Sequence, residues 1–304
     1  MKLGTVVLSG NREEPVVFIE GGCLPLRELL PDPPTSLADL LSGNARLASA
    51  LRTIGNGNCP VEIPVSYLAP VPQPRTFRDF YAFEQHVKSA RARRGLEMLP
   101  AWYEQPVFYF SNPGTLIAHD QPVYAPLDCH ELDYELELGV VIGSGGRNIR
   151  AEDAWDHVAG FTIINDFSAR DIQRREMAVG LGPAKGKDFA TGVGPFIATL
   201  DEFRDRIGSD GSVQLEMAAR VNGLELSRGN SASMYFRWPQ LIEMASRDAE
   251  LYPGDLLGSG TVGTGCILEL GAENTGGWLK PGDVVELEIE RLGVLRHTVR
   301  ERPI

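Results

Sequence analysis

Two stretches of this 304-residue chain hold acids at spacings that could do chemistry. In "DYELELGVV" an extended backbone alternates faces. Glu135 and Glu137 then share one face, and Leu136 and Leu138 take the other. Neighbouring carboxylates repel unless a cation lies between them. A solvated edge strand is the simpler alternative, but the following "LGVVIG" reads as buried. In "DFYAFEQH" an acid and a histidine, Asp79 and His86, flank three aromatics. This is either a packed helix face or two chemical groups aimed at one point. If the stretch is helical, seven residues is nearly two turns, and both side chains project from one face.

Three further stretches add charge. In "GFTIINDFSARDIQ", Asp166 sits where an apolar strand ends, as a site residue or as a mere cap or turn. A helix is predicted from Ser168, with capping-box-like spacing to Asp171. Arg170 and Gln173, three apart, would share a face of that helix, either offering donors to an anion or facing water. Lys187, in the Gly-rich "LGPAKGKDFATGVGP", could supply a positive charge or be one more surface lysine. "GSGTVGTG" is formally GxGxxG, through Gly258, Gly260 and Gly263. It opens no βαβ unit and no long helix follows, so these read as turn glycines and not as a dinucleotide site.

The elements that must position these residues are mostly strands. "TVVLSG", "PVVFIEGG", "DYELELGVVIG", "GFTIIND", "GPFIATL", "VQLEMAARVNG" and "VVELEIERLGVLRHTV" are rich in β-branched residues and bounded by Gly, Pro or Asn. Helices are predicted over "SLADLLSGNARLASALRTIG" with Ser36 as N-cap, "FRDFYAFEQHVKSARARRG", "SARDIQRREM" and "WPQLIEMASRD", the last with Pro239 in its first turn. "PGD" at 253–255 and at 281–283 reads as a turn entering a strand. The proline-rich "VEIPVSYLAPVPQP" suits a connection between two units, 1–73 and 74–304. The fold class is mainly β (α+β), with a small N-terminal β-rich domain.

Composition narrows the function classes. The chain is 43% hydrophobic with a net charge of -12. Such a surface repels phosphate backbones, so nucleic acid is excluded as a partner. An acidic protein acting on anions needs a local cation cluster or a metal. No apolar run nears the roughly 20 residues that span a bilayer, and no secretory signal is visible, so no membrane role is expected. Cys23, Cys59, Cys129 and Cys266 are scattered without a CxxC. Free thiols in a reducing cytoplasm fit better than a zinc or disulfide framework.

In order along the chain, "DYELELGVVIG", "NDFSARDIQ", "LGPAKGKDFAT", "PGDLLGSGT" and "LKPGDVVELEIERLGVL" resemble the fumarylacetoacetate hydrolase family, from Thr76 to the C-terminus. "DFYAFEQH" resembles the acid–histidine motif of fumarylacetoacetase itself. The resemblance implies a mixed β-roll or sandwich catalytic domain and a homodimer. It implies Asp79, Glu135, Glu137 and Asp166 as metal ligands, His86 as general base and Glu269 as the acid that orients it. Lys187 and Gln173 would act on developing charge. Tyr81, Tyr109, Arg170 and Thr261 match substrate positions, and Thr191 lies near the metal loop. Four carboxylates suit a hard divalent cation, Mg²⁺ first, with Ca²⁺ or Mn²⁺ as alternatives.

There are departures from the family pattern. Ala190 stands where many relatives carry Asp, and Arg91, Arg93 and Arg94 align with no substrate arginine. The implied activity is metal-dependent hydrolysis of a C–C bond in a 1,3-diketo acid, an acylpyruvate or a fumarylacetoacetate-like compound. The alternatives are a β-keto acid decarboxylase or 2-keto acid hydratase or dehydratase on the same scaffold, and, behind these, a non-catalytic metal-binding protein.

Overall fold

The computed structural model describes residues 1–42 and 60–303. Its centre is an 11-stranded mixed sheet. Across it run Gly22–Pro25, Arg12–Ile19, Lys2–Leu8, Thr191–Thr199, Val158–Asp166, Leu136–Ile142, Leu256–Gly258, Phe77–Phe80 and Phe108–Ser111. Two short strands, Ser66–Tyr67 and Leu116–Ile117, attach off this path. A five-stranded sheet, Leu224–Asn230, Glu216–Val221, Val284–Ile289, Gly293–Arg300 and Pro122–Tyr124, packs on one face. The fold is mainly β.

Side-chain alternation builds a core on each face of the large sheet. Leu136, Leu138 and Val140 point into the main core, with Met217, Leu287 and Leu295 of the second sheet. Helix Trp238–Ser246 closes that core with Trp238, Leu241 and Ile242. Val141, Ile164, Val193 and Ile197 point the other way, onto Leu3, Val17 and Leu24 and the short helices Leu26–Leu29 and Leu37–Leu41. Each such buried aliphatic side chain contributes about 1.5–3 kcal/mol.

We propose 1–73 and 74–304 as the two units. The sheet is continuous across them, through the pairs Lys2↔Ala198 and Leu3↔Ile197. Ser36 caps Leu37–Leu41 by accepting from the Asp39 N–H at 3.1 Å. The rest of the helix expected over 36–55, and Cys59, lie outside the described residues. Both "PGD" segments turn into strands, with Gly254 and Gly282 at positive φ. No helix among the described residues is long and apolar enough to cross a membrane.

Two expected helices are corrected. Asp79 is not helical: it lies on strand Phe77–Phe80, and the helix starts only at Glu84, running Glu84–Ala92. The strand is made by its neighbours, pairing in parallel with Leu256–Gly258 and antiparallel with Phe108–Ser111. Such long-range ladders override local helix propensity. The other helix is Arg170–Ala178, and Ser168 does not cap it. Ser168 pairs with Asp133 in a two-stranded ladder and donates its hydroxyl to the Asp166 carbonyl at 3.0 Å.

Candidate active site and cation pocket

Three strands bring three acids together. Asp79 comes from Phe77–Phe80, Glu137 from Leu136–Ile142, and Asp166 from the end of Val158–Asp166. Each is 1% exposed, and one oxygen from each lies within 4.8 Å of the others. Burial, then mutual repulsion, pushes the Asp79 carboxyl up to about 8 and that of Glu137 well above the usual carboxylate range. Among the described residues, Asp79 Oδ1, Glu137 Oε2 and Asp166 Oδ1 find no hydrogen-bond donor. Oxygens that are buried, convergent and unpartnered are the donor set a hard divalent cation takes, so these three residues fit one.

Two glycines make room for the pocket. A Cβ on Gly258 would collide with Asp79 Oδ1 and stand 3.1 Å from Glu137 Oε2. Gly260, at φ 77°, turns the chain against the Phe80 carbonyl. Of the GxGxxG pattern, Gly258 is thus the floor beneath the carboxylates, whereas Gly263 packs on the Gln85 side chain.

Glu135, the fourth expected ligand, stands beside this trio and is held by cations. Its carboxylate accepts from Arg170 Nη2 at 2.6 Å and from Lys187 Nζ. Lys187 also bonds Asp166, which ties Glu135 to the pocket. Burial would raise the Glu135 carboxyl, but Lys187 and Arg170 hold it below the usual range. Burial would lower the Lys187 ammonium, but Asp166 and Glu135 hold it above its ordinary value. An ammonium has three donors, and these partners take two.

His86 lies in the first turn of Glu84–Ala92, 4% exposed. Its Nδ1 meets Glu269 Oε1 at 2.6 Å, across 183 residues of sequence. A carboxylate can only accept, so Nδ1 carries the proton in that contact. The other nitrogen, Nε2, lies 4.0 Å from Glu135 Oε1, toward the carboxylates. Glu269 sits on the short helix Ile267–Leu270, and its Oε2 accepts the Thr264 N–H at 3.1 Å. The structure therefore gathers an acid–histidine pair, a cluster of buried carboxylates and two fixed cationic side chains.

The remaining expected residues are placed unevenly. Tyr81 stacks edge-on to His86, ring centroids 5.4 Å apart. Gln173 accepts from Arg170 Nη1 at 3.0 Å, which leaves its NH₂ as the donor to offer. Tyr109 and Thr261, expected at the substrate, donate to carboxylates of the pocket: Tyr109 to Asp166 at 2.6 Å, Thr261 to Glu137 at 3.4 Å. Thr191 is buried beside Asp166 in the strand pairing, its hydroxyl unpartnered. Sequence reading missed Asp133, which is fully buried against Arg170. The signal was in "DYELELGVV": Asp133 is two residues before Glu135, at the spacing that puts both on one face.

Residues 75–300 match the family described as fumarylacetoacetate (FAA) hydrolase, C-terminal. The chain belongs to the fumarylacetoacetate hydrolase family. Within that family it is 33% identical, over 286 residues, to a human protein named oxaloacetate tautomerase, mitochondrial, covering 92% of this chain and 84% of that one. It is 35% identical over 198 residues to a 2,4-didehydro-3-deoxy-L-rhamnonate hydrolase of a Sphingomonas species, covering 65% and 66%. A solved structure of a probable 2-hydroxyhepta-2,4-diene-1,7-dioate isomerase from Mycobacterium abscessus superposes with a TM-score of 0.74, at 25% identity over the full length of both chains. The fumarylacetoacetate hydrolase family thus includes hydrolases, isomerases and tautomerases among this chain's relatives.

Proposed function

We propose that this protein is a divalent-metal-dependent hydrolase that cleaves a C–C bond in a 1,3-diketo acid, an acylpyruvate or a fumarylacetoacetate-like compound. One observation carries the reading: His86 Nδ1 is 2.6 Å from Glu269 Oε1, with Nε2 turned toward the carboxylate pocket. A carboxylate that fixes the tautomer leaves Nε2 free to take a proton and stabilises the imidazolium that forms. Nε2 would deprotonate water, and the hydroxide would add to the substrate carbonyl. The C–C bond then breaks, its electron pair passing to the leaving fragment as an enolate.

Each of the other residues has a task in this scheme. The third Lys187 donor and the Gln173 NH₂ offset developing oxyanion charge. Arg170 has five N–H bonds, and three of them are spent on Asp133, Gln173 and Glu135. The remainder can meet the substrate carboxylate. Asp79, Glu137 and Asp166, with Glu135 beside them, would hold the cation, Mg²⁺ first and Ca²⁺ or Mn²⁺ otherwise. When bound, the cation supplies Lewis-acid stabilisation of negative charge on substrate oxygens. We place the enzyme in the cytoplasm as a homodimer.

A second reading is supported by the 33% identity to the human oxaloacetate tautomerase over 92% of this chain. Tautomerisation moves a proton between carbon and oxygen and needs a base but no attacking water. Decarboxylation on the same scaffold likewise needs no His–Glu activation of a nucleophilic water. The test is to supply Mg²⁺ with acetylpyruvate, fumarylacetoacetate or oxaloacetate and follow the products. Release of pyruvate and acetate from acetylpyruvate, or of fumarate and acetoacetate from fumarylacetoacetate, supports hydrolysis. Enol-to-keto conversion of oxaloacetate with no cleavage of either diketo acid would replace it with the tautomerase reading.

A further inference from the structure

Among the described residues, a second group of ligand atoms converges outside the carboxylate pocket. His86 offers nitrogen, Cys266 sulfur and Glu269 oxygen, all within 4.8 Å of one another. Cys266 Sγ stands 3.7 Å from Glu269 Oε1, the same oxygen that meets His86 Nδ1 at 2.6 Å. Cys266 is fully buried and His86 is 4% exposed. The backbone holds them in place. His86 rides on Glu84–Ala92, Cys266 is the residue just before Ile267–Leu270, and Glu269 sits within that helix. The Thr264 N–H occupies Oε2 and so leaves Oε1 turned to the other two.

We infer that His86, Cys266 and Glu269 form a second cation site, selective for a borderline ion such as Zn²⁺, whose occupation shuts off the proposed base. The two sites differ in donor chemistry. Asp79, Glu137 and Asp166 offer only oxygen and suit Mg²⁺, whereas nitrogen and sulfur favour Zn²⁺. Zinc bonds of about 2.0 Å to nitrogen, 2.0–2.2 Å to oxygen and 2.3 Å to sulfur put tetrahedral ligand atoms roughly 3.3–3.7 Å apart. The sulfur–oxygen separation of 3.7 Å already fits. The Nδ1–Oε1 contact of 2.6 Å has to open by roughly 0.7 Å. A fourth position is left for a solvent ligand or substrate, as in other three-ligand zinc sites.

Proton and charge accounting gives the consequence. The thiol gives up its proton to solvent on coordination. The single proton of the neutral imidazole moves from Nδ1, which takes the metal, to Nε2. One thiolate, one carboxylate and one neutral imidazole around a dication sum to zero net charge, which limits the cost of burying the ion. With a proton on Nε2 and metal on Nδ1, His86 can no longer accept from water. Zinc binding follows from the ligand geometry alone, whereas inhibition by zinc rests on the hydrolase reading.

The test uses the whole protein with excess Mg²⁺ to fill the carboxylate pocket, and Co²⁺ as the spectroscopic stand-in for Zn²⁺. A saturable thiolate-to-cobalt charge-transfer band in the near ultraviolet is expected, displaced by Zn²⁺ and lost in Cys266→Ser. A wild-type spectrum without that band overturns the site whatever the variant does. So does a band that persists in Cys266→Ser, since it would belong to another thiol. In parallel, Zn²⁺ should lower diketo-acid hydrolysis by the wild type, and Cys266→Ser should need on the order of tenfold more Zn²⁺ for the same fractional loss of its own rate. If the band depends on Cys266 but Zn²⁺ leaves hydrolysis unchanged, the site stands and the assignment of His86 as base falls.

Discussion

Arg170 and Asp133 form a buried ion pair, Nε to Oδ2 at 2.9 Å and Nη2 to Oδ2 at 2.8 Å. The same carboxylate accepts the N–H groups of Ile267 at 2.7 Å and Leu268 at 3.0 Å. These open the short helix that carries Glu269. One side chain therefore joins the guanidinium beside Glu135 to the element that orients His86. Burial pushes the Asp133 carboxyl up, and the Arg170 charge works against it.

Removing one partner of such a pair leaves the other charge buried and uncompensated. We expect Asp133→Ala to destabilise the protein by about 3–5 kcal/mol in urea unfolding. Asp133→Asn, which keeps the shape and one acceptor, should cost less. An unfolding midpoint for Asp133→Ala equal to wild type would show that the pair holds nothing in place.

The acid–histidine pair is the next target. His86→Ala should lower kcat for diketo-acid cleavage by roughly 10²–10⁴-fold, with Mg²⁺ affinity nearly unchanged. Glu269→Gln should also lower kcat. The double variant should lose little more than His86→Ala alone, because the two act as one unit. Steady-state kinetics and calorimetric Mg²⁺ titration check this; loss of Mg²⁺ binding in His86→Ala would make the histidine a ligand instead of a base.

Gly258→Ala tests the cation pocket without touching a carboxylate. The new methyl group would have to share space with Asp79 Oδ1. Because Asp79 is buried and Glu137 is beside it, neither can swing into solvent. We expect Mg²⁺ affinity to drop by roughly tenfold or more, as when other supporting positions of metal sites are disturbed, with the circular dichroism spectrum retained. Wild-type affinity in Gly258→Ala would mean that the cation does not depend on Asp79 and Glu137.

Buried His297 should make the fold less stable as pH falls. It is fully buried between the sheets, edge-on to Phe167. Burial, then the nearby His119, pulls its pKa from 6.5 down to about 3. The unfolded chain therefore binds a proton that the folded chain refuses. Its stabilising effect is complete above about pH 6.5 and is lost as pH falls from there toward about 3. Between pH 7 and pH 5 this one group should cost about 2 kcal/mol. His297→Leu should remove that component, so its stability should fall less steeply over this range. Parallel pH profiles for wild type and variant would falsify the assignment.

The two-faced character of the central strands was legible in the residue order alone. Alternation separates Glu135 and Glu137 from Leu136 and Leu138, and the leucines do enter the main core. The β-branched runs marked the longer strands, and the ordered motifs marked the family. Short strands such as Phe108–Ser111 and Pro122–Tyr124 escaped, because three or four residues carry too little periodicity to register. That Asp79 is on a strand follows from long-range pairing: its ladder partner, Gly258, is 179 residues away in sequence, beyond the reach of any local preference. Tertiary contacts likewise decide that Glu135 is held by Lys187 and Arg170, that Ser168 is spent on a ladder, and that Asp133 reaches across to the helix of Glu269. The side-chain face is a property of one segment, fixed by backbone geometry. Which faces meet is a property of sheet order, set by burying two cores at once.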